Sequence, residues 1–238
     1  MIRSYAILAA AVFGLSAVPA NATPITLGSG DVGSTFQVAF DGFSGNTVID
    51  GLTSTLSLQL TSVDANEYVF DYTLTNTTDP SLTSRVSSFA FNTNPEISGA
   101  SATGDYSYTV LDSNYPNGIG TVDVCFKAAG SNSCAGNRDG AEVGESGSGS
   151  LTLTFADALS SLTLDDFFVR YQSISGAGSV SSASGKQTSS STTSGSTTST
   201  SGTPVPEPGM LGLFGAALLG LGLLRRRKVL PARSAAFA

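Results

Sequence analysis

The chain has 238 residues and a formal net charge of −7, room for one domain of ordinary size plus targeting segments. Arg3, Arg225, Arg226, Arg227, Lys228 and Arg233 crowd the two ends. All 18 acids lie between them with only Arg85, Lys127, Arg138, Arg170 and Lys186 as counterweight. Such a middle repels nucleic acid, whose binding needs cations on phosphate, and none is expected as a partner. Without a histidine the chain lacks the usual catalytic base and the commonest transition-metal ligand, which leaves only carboxylate chemistry.

Residues 1–22 have the form of a secretory signal. Arg3 gives the positive start, Tyr5 to Val18 the apolar run, and Pro19 the break. Ala20-Asn21-Ala22 then supplies the small-x-small cleavage pattern, predicting a mature chain that begins at Thr23.

Residues 23–172 read as one domain of period two. Leu56, Leu58 and Leu60 alternate with Ser57, Gln59 and Thr61; Tyr68, Phe70, Tyr72 and Leu74 alternate with Val69, Asp71, Thr73 and Thr75. Tyr106, Tyr108 and Val110 repeat the pattern, as do Val122, Val124 and Phe126, then Leu151, Leu153 and Phe155. One apolar face per strand suits an antiparallel sheet with water on its other side. Turn clusters such as Asn76 to Pro80, Asn92 to Pro95 and Asn114 to Gly118 separate the runs. The expected fold is an all-β antiparallel sandwich, jelly-roll-like, of roughly eight to ten short strands. Leu162 to Gln172 is expected to close it, with Arg170 paired to a neighbouring acid.

Cys125 and Cys134 are the only cysteines. In an exported protein they are expected to form a disulfide that stiffens the segment between them. Asn137, Asp139, Glu142 and Glu145 follow and could offer oxygens to calcium, but their spacing fits neither the twelve-residue calcium loop nor the nine-residue Gly/Asp repeat. A solvated hairpin loop is the expectation there, and no cofactor is called for.

Residues 173–203 are nearly all Ser, Thr and Gly. This composition buries too little apolar surface to offset ordering, so a flexible stalk is expected, open to O-linked glycan. Pro204-Val205-Pro206-Glu207-Pro208 follows, then the apolar run 209–224 and the cluster Arg225-Arg226-Arg227-Lys228. Sixteen residues make a helix of roughly 24 Å at about 1.5 Å per residue, short for a permanent span of a core about 30 Å thick. The cations hold the far end in the cytoplasm and leave the domain outside.

Residues 204–228, with Pro206, Glu207 and Pro208 before the greasy segment and Arg225, Arg226 and Arg227 after it, resemble the PEP-CTERM sorting signal of Gram-negative bacteria. The same short module also bears the label "ice-binding protein C-terminal domain". Residues 229–238 extend past the family's usual end. The resemblance implies transient anchoring in the inner membrane, recognition by an exosortase, and delivery to the surface or the exopolysaccharide matrix. The paired cysteines beside a Gly-rich loop, with Phe167 to Ile174 following, resemble the cistern subgroup of these proteins, which implies no activity.

Three functions stay open at this level. The first is a structural or adhesive protein of the matrix. The second is a carbohydrate- or calcium-binding module using Tyr106, Tyr108 and Tyr115 with Asp105 and Asp112. The third is a carboxylate enzyme, for which adjacent Asp165 and Asp166 point to opposite faces of a strand. Ice binding would want a flat array of Thr-x-Thr pairs, and isolated pairs such as Thr152/Thr154 are all that a linear reading finds.

Overall fold

The computed structural model describes residues 23–135 and 139–194. The expected signal segment with Ala20 and Ala22, and the segment 204–228 with its Pro-Glu-Pro and arginine cluster, lie outside the described residues.

Alternation of apolar and polar side chains produces strands wherever one face is buried. Twelve form among the described residues: β1 (Ile25–Leu27), β2 (Thr35–Ser44), β3 (Thr47–Asp64), β4 (Glu67–Asn76), β5 (Thr83–Asn94), β6 (Gly99–Ala102), β7 (Tyr108–Tyr115), β8 (Gly120–Lys127), β9 (Ala141–Glu142), β10 (Ser146–Thr154), β11 (Leu162–Ser175) and β12 (Ser182–Thr193). They pair in the order β6-β10-β4-β3-β2-β12-β11-β5-β8-β7, with β1 also on β11 and β9 also on β5. Each pairing is antiparallel.

This one sheet folds onto itself as two facing layers, so the expected all-β antiparallel sandwich is what forms. Leu56, Leu58 and Leu60 of β3 stand opposite Leu74, Tyr72 and Phe70 of β4 and point inward. They meet Phe89, Phe91, Val169 and Tyr171 from the other half. Tyr72 and Phe89 touch across the layers with ring centroids 5.4 Å apart. Ser54 and the Tyr171 hydroxyl join the same layers by a buried hydrogen bond of 2.8 Å. A smaller apolar cluster of Ala90, Tyr115, Val122, Cys125 and Cys134 lies apart from this core. There the ring of Tyr115 sits 5.9 Å from that of Phe168, where the β7–β8 hairpin folds back over β5 and β11.

Four expectations are corrected. The sheet does not end at Gln172, because β11 runs on to Ser175. Ser182–Thr193 then forms β12, paired with both β11 and β2, so the part of 173–203 read as a flexible stalk is structured as far as Thr193. Burial of β12 comes from its neighbours and its stability from ladder hydrogen bonds, which a composition rule does not register. Tyr106 does not continue the alternation of β7: it lies in a 3-10 turn, Gly104–Tyr106, and is fully buried, while Tyr108 is 51% exposed. Arg170 pairs with no acid among the described residues. Its Nε donates to the Ala135 carbonyl at 3.2 Å and its Nη2 to Ser182 Oγ at 2.9 Å, since hydroxyl and carbonyl oxygens are what the outer face of β11 offers it.

Candidate functional site

Of the residues marked out in sequence, the cysteines are the ones the structure brings together. Cys125 sits on β8, where pairing with Ala90 of β5 turns its side chain into the smaller cluster. Cys134 reaches the same cluster from the loop after β8, held there by Ser88 Oγ donating to its carbonyl at 3.1 Å. Both are fully buried and stand as two thiols with no bond between them. Burial pushes the Cys125 thiol well up. A hydrogen bond from Cys125, with help from Ser113 and the buried Lys127, holds Cys134 below the usual thiol range. Lys127 itself is 1% exposed and donates from Nζ to the carbonyl and hydroxyl of Ser131. Of the two, Cys134 is therefore the more readily ionised and the better attacking sulfur.

Of the loop residues considered for calcium, Asn137 lies outside the described residues, and Glu142 and Glu145 are engaged by their own chain. A Glu145 carboxylate oxygen accepts from the Glu142 amide at 3.2 Å, and Glu142 lies 3.7 Å from Arg85. Asp165 and Asp166 sit at a bulge of β11, where Asp166 takes φ 47°. The Asp165 carboxylate accepts from the Asp166 amide at 2.8 Å, and Asn92 donates to Asp166 at 3.2 Å. Of the tyrosines considered for glycan, Tyr106 and Tyr115 are core. Tyr106 donates to the Val86 carbonyl at 2.7 Å, and burial raises its pKa.

Sequence reasoning missed a different surface. The outward positions of β12, β2, β3, β4 and β10 fall into register as transverse rows. One row runs Ser191, Gln37, Ser57, Thr73, Ser148; the next runs Thr193, Thr35, Gln59, Asp71, Ser150; on the other side lies Ser189, Ala39, Thr55, Thr75, Ser146. Neighbouring strands lie about 4.8 Å apart and successive outward residues about 6.7 Å apart, so hydroxyls tile the face as a lattice. Some already meet across strands: Thr75 Oγ1 and Ser146 Oγ are 2.8 Å apart, and Ser150 Oγ donates to Asp71 at 2.9 Å. Within these rows Asp71 is the single charge, on a chain with 18 acids. No linear signal announces the lattice, because its tiles meet only through strand pairing, across the successive β2, β3 and β4 and onto β10 and β12 from far along the sequence.

At the amino end Thr23, the expected first residue of the mature chain, rests against β12. Its carbonyl accepts from Gln187 Nε2 at 3.2 Å and Ser190 Oγ at 3.1 Å, and its hydroxyl lies 3.0 Å from Ser190 Oγ.

Compared with known proteins, residues 204–228 match the family model described as the PEP-CTERM protein-sorting motif. No curated protein and no solved structure matches the chain.

Proposed function

From a chain that carries the PEP-CTERM sorting motif, and is therefore exported and sorted at the membrane through an exosortase, we propose that the β domain works outside the cell as a non-catalytic component of the exopolysaccharide layer. It acts by adhesion or as structure, and needs no cofactor. The observation that carries this reading is the hydroxyl lattice on β12, β2, β3, β4 and β10. A surface of Ser, Thr and Gln offers donors and acceptors together. With no cation in these rows it has nothing for a polyanion to neutralise. Its complement is a neutral, hydroxyl-rich polysaccharide lying across the rows, through direct and water-bridged hydrogen bonds.

The reading is tested by titrating the secreted protein with the cell's own exopolysaccharide, a neutral glucan and a uronic-acid polymer, each with and without a calcium chelator. Binding to the neutral polymers that resists chelator, and that Ser57→Glu/Thr73→Glu abolishes at a temperature well below that variant's own unfolding midpoint, is expected. Both positions face water, so the double variant leaves the core alone. Equal binding by that variant overturns the lattice reading, and loss on chelation favours a calcium-dependent module instead. Sorting is tested separately: mass spectrometry of released protein is expected to find a C-terminus close to Pro206. Secreted material that still carries the Arg225–Lys228 peptide contradicts it.

A further inference from the structure

Among the described residues, strand β12 is the only link in hydrogen-bond order between the two halves of the sheet. On one side Ser182 to Lys186 pair with Gln172 to Phe168 of β11; on the other Ser184 to Thr193 pair with Phe43 to Thr35 of β2. Take β12 away and the path β6-β10-β4-β3-β2 ends at an open β2 edge, while β11-β5-β8-β7 ends at an open β11 edge. The gap is shaped for a strand with little side chain. Ala183 and Gly185 are inward and fully covered, and Gly185 lies so close to Val169, Tyr171 and Phe40 that no Cβ fits. Beyond the ladder, β12 collects the side-chain bonds of the expected mature amino terminus through Gln187 and Ser190, and of Arg170 through Ser182. Asn117, at the tip of the β7–β8 hairpin, donates to Ser184 Oγ at 3.1 Å.

We propose that Ser182–Thr193 is the closing strand of the domain: the β2 and β11 edges form a binding cleft for it, and the fold is completed only when this segment inserts. A chain is made amino end first, so the segment next to the sorting motif is the last of the domain to appear. Until then the β2 and β11 edges stay unpaired and the domain stays open, a form suited to crossing a membrane. Closure therefore follows delivery of the whole domain. Removal of the motif near Pro206 leaves the strand in place, since β12 ends at Thr193. The segment is built for this timing. It is polar enough to stay solvated while it waits, and it contributes backbone hydrogen bonds rather than an apolar face, so it does not drive early collapse.

The full-length chain in detergent, with a site-specific protease sequence inserted after Gly178 in the exposed β11–β12 loop, provides the test. After cutting, the fragment that begins at Ser179 is expected to stay bound in native buffer. It should leave at a urea concentration at which the uncut chain is still folded. The remaining fragment is expected to take up a synthetic peptide of residues 182–193 and to refuse the same peptide carrying Gly185→Val. A remainder that keeps the uncut midpoint after the strand has gone, or that accepts both peptides equally, overturns the proposal. Should the remainder aggregate, hydrogen exchange on the uncut chain decides: amides of β12 exchanging ahead of those in β4 and β5 supports a separately opening strand, and exchange of all three in a single global event overturns it.

Discussion

Gly185→Ala places one methyl group among the side chains of the two strands that flank β12. A Cβ there would sit 2.6 Å from Val169 Cγ2, 2.8 Å from Tyr171 Cε2 and 3.4 Å from Phe40 Cβ. The first two distances are below any real carbon contact, so something must move. Val169 is β-branched and stiff about χ1, and the Tyr171 ring is pinned at its far end by the 2.8 Å bond to Ser54. Overpacking of this kind costs about 1–3 kcal/mol. Against it stands about 0.4–1 kcal/mol gained because alanine restricts the unfolded chain, and the strand asks for no positive φ at this position. The net is a loss of about 1.3 kcal/mol at the middle of both ranges and at most about 2.6 kcal/mol, and for a domain of this size each kcal/mol shifts Tm by about 2–4 °C. The assay is thermal and urea unfolding beside Gly30→Ala, an exposed glycine with nothing within 4 Å of its would-be Cβ. That control is expected to be neutral or slightly stabilising. If Gly185→Ala proves as stable as Gly30→Ala, the close approach is not real and the argument for a side-chain-poor strand fails with it.

Tyr171→Phe removes the hydroxyl that joins the layers and strands Ser54 Oγ in the core; a loss of about 1–3 kcal/mol is expected by urea unfolding, and Tyr171→Phe/Ser54→Ala should recover part of it. The Cys125 and Cys134 thiols, touching and buried, are expected to bridge when a disulfide-bearing oxidant takes up their two electrons, with both protons released. Intact mass of the secreted protein should be lower by two hydrogens than after reduction, and Cys125→Ser/Cys134→Ser should lose about 2–3 kcal/mol of the oxidised protein's stability, the chain-entropy value for so short a loop. Asp79 has its carboxyl held below 3.8 by hydrogen bonds from the Ser81 amide and hydroxyl. A carboxyl lowered by folding stabilises fully above its unfolded value, and that contribution is lost as pH falls through the lower folded one. Asp79→Asn is therefore expected to lower stability slightly at neutral pH, to match the parent once pH has fallen well below about 4, and so to flatten the acid limb of the stability curve; an unaltered acid limb contradicts it.

The period-two reading succeeded where a strand's own side chains build the core. Leu56, Leu58 and Leu60 are buried because water is excluded from one face of β3, and the same pressure wrote the alternation into the sequence. It failed at Tyr106, where Gly104 at φ 77° turns the chain and resets the phase, so that tyrosines two apart go to different environments. It failed again at β12. There the inward residues are Ala183 and Gly185, and the apolar cover is lent by Phe40, Val169 and Tyr171. A strand that gives hydrogen bonds and takes burial from others has the composition of a linker, and hydropathy alone does not separate the two.

The same distinction explains why the sorting signal was legible and the hydroxyl lattice was not. A sorting signal is read in one dimension: the bilayer and its enzyme meet a proline-flanked glutamate, a greasy run and a cluster of cations in the order in which they are written. The lattice exists only in the second dimension of the sheet. Thr73 finds Ser57 on one side and Ser148 on the other because β3 and β10 flank β4, and each residue alone is an ordinary solvent-facing Ser or Thr. The residues that complete the outermost columns, Ser189, Ser191 and Thr193, come from the segment that composition had set aside as a stalk. Closing the fold and finishing the lattice are thus the same event. A chain with an unpaired β2 edge lacks one of the five columns of the lattice, and, on the function proposed above, weaker polysaccharide binding should accompany any variant that loosens β12, Gly185→Ala among them.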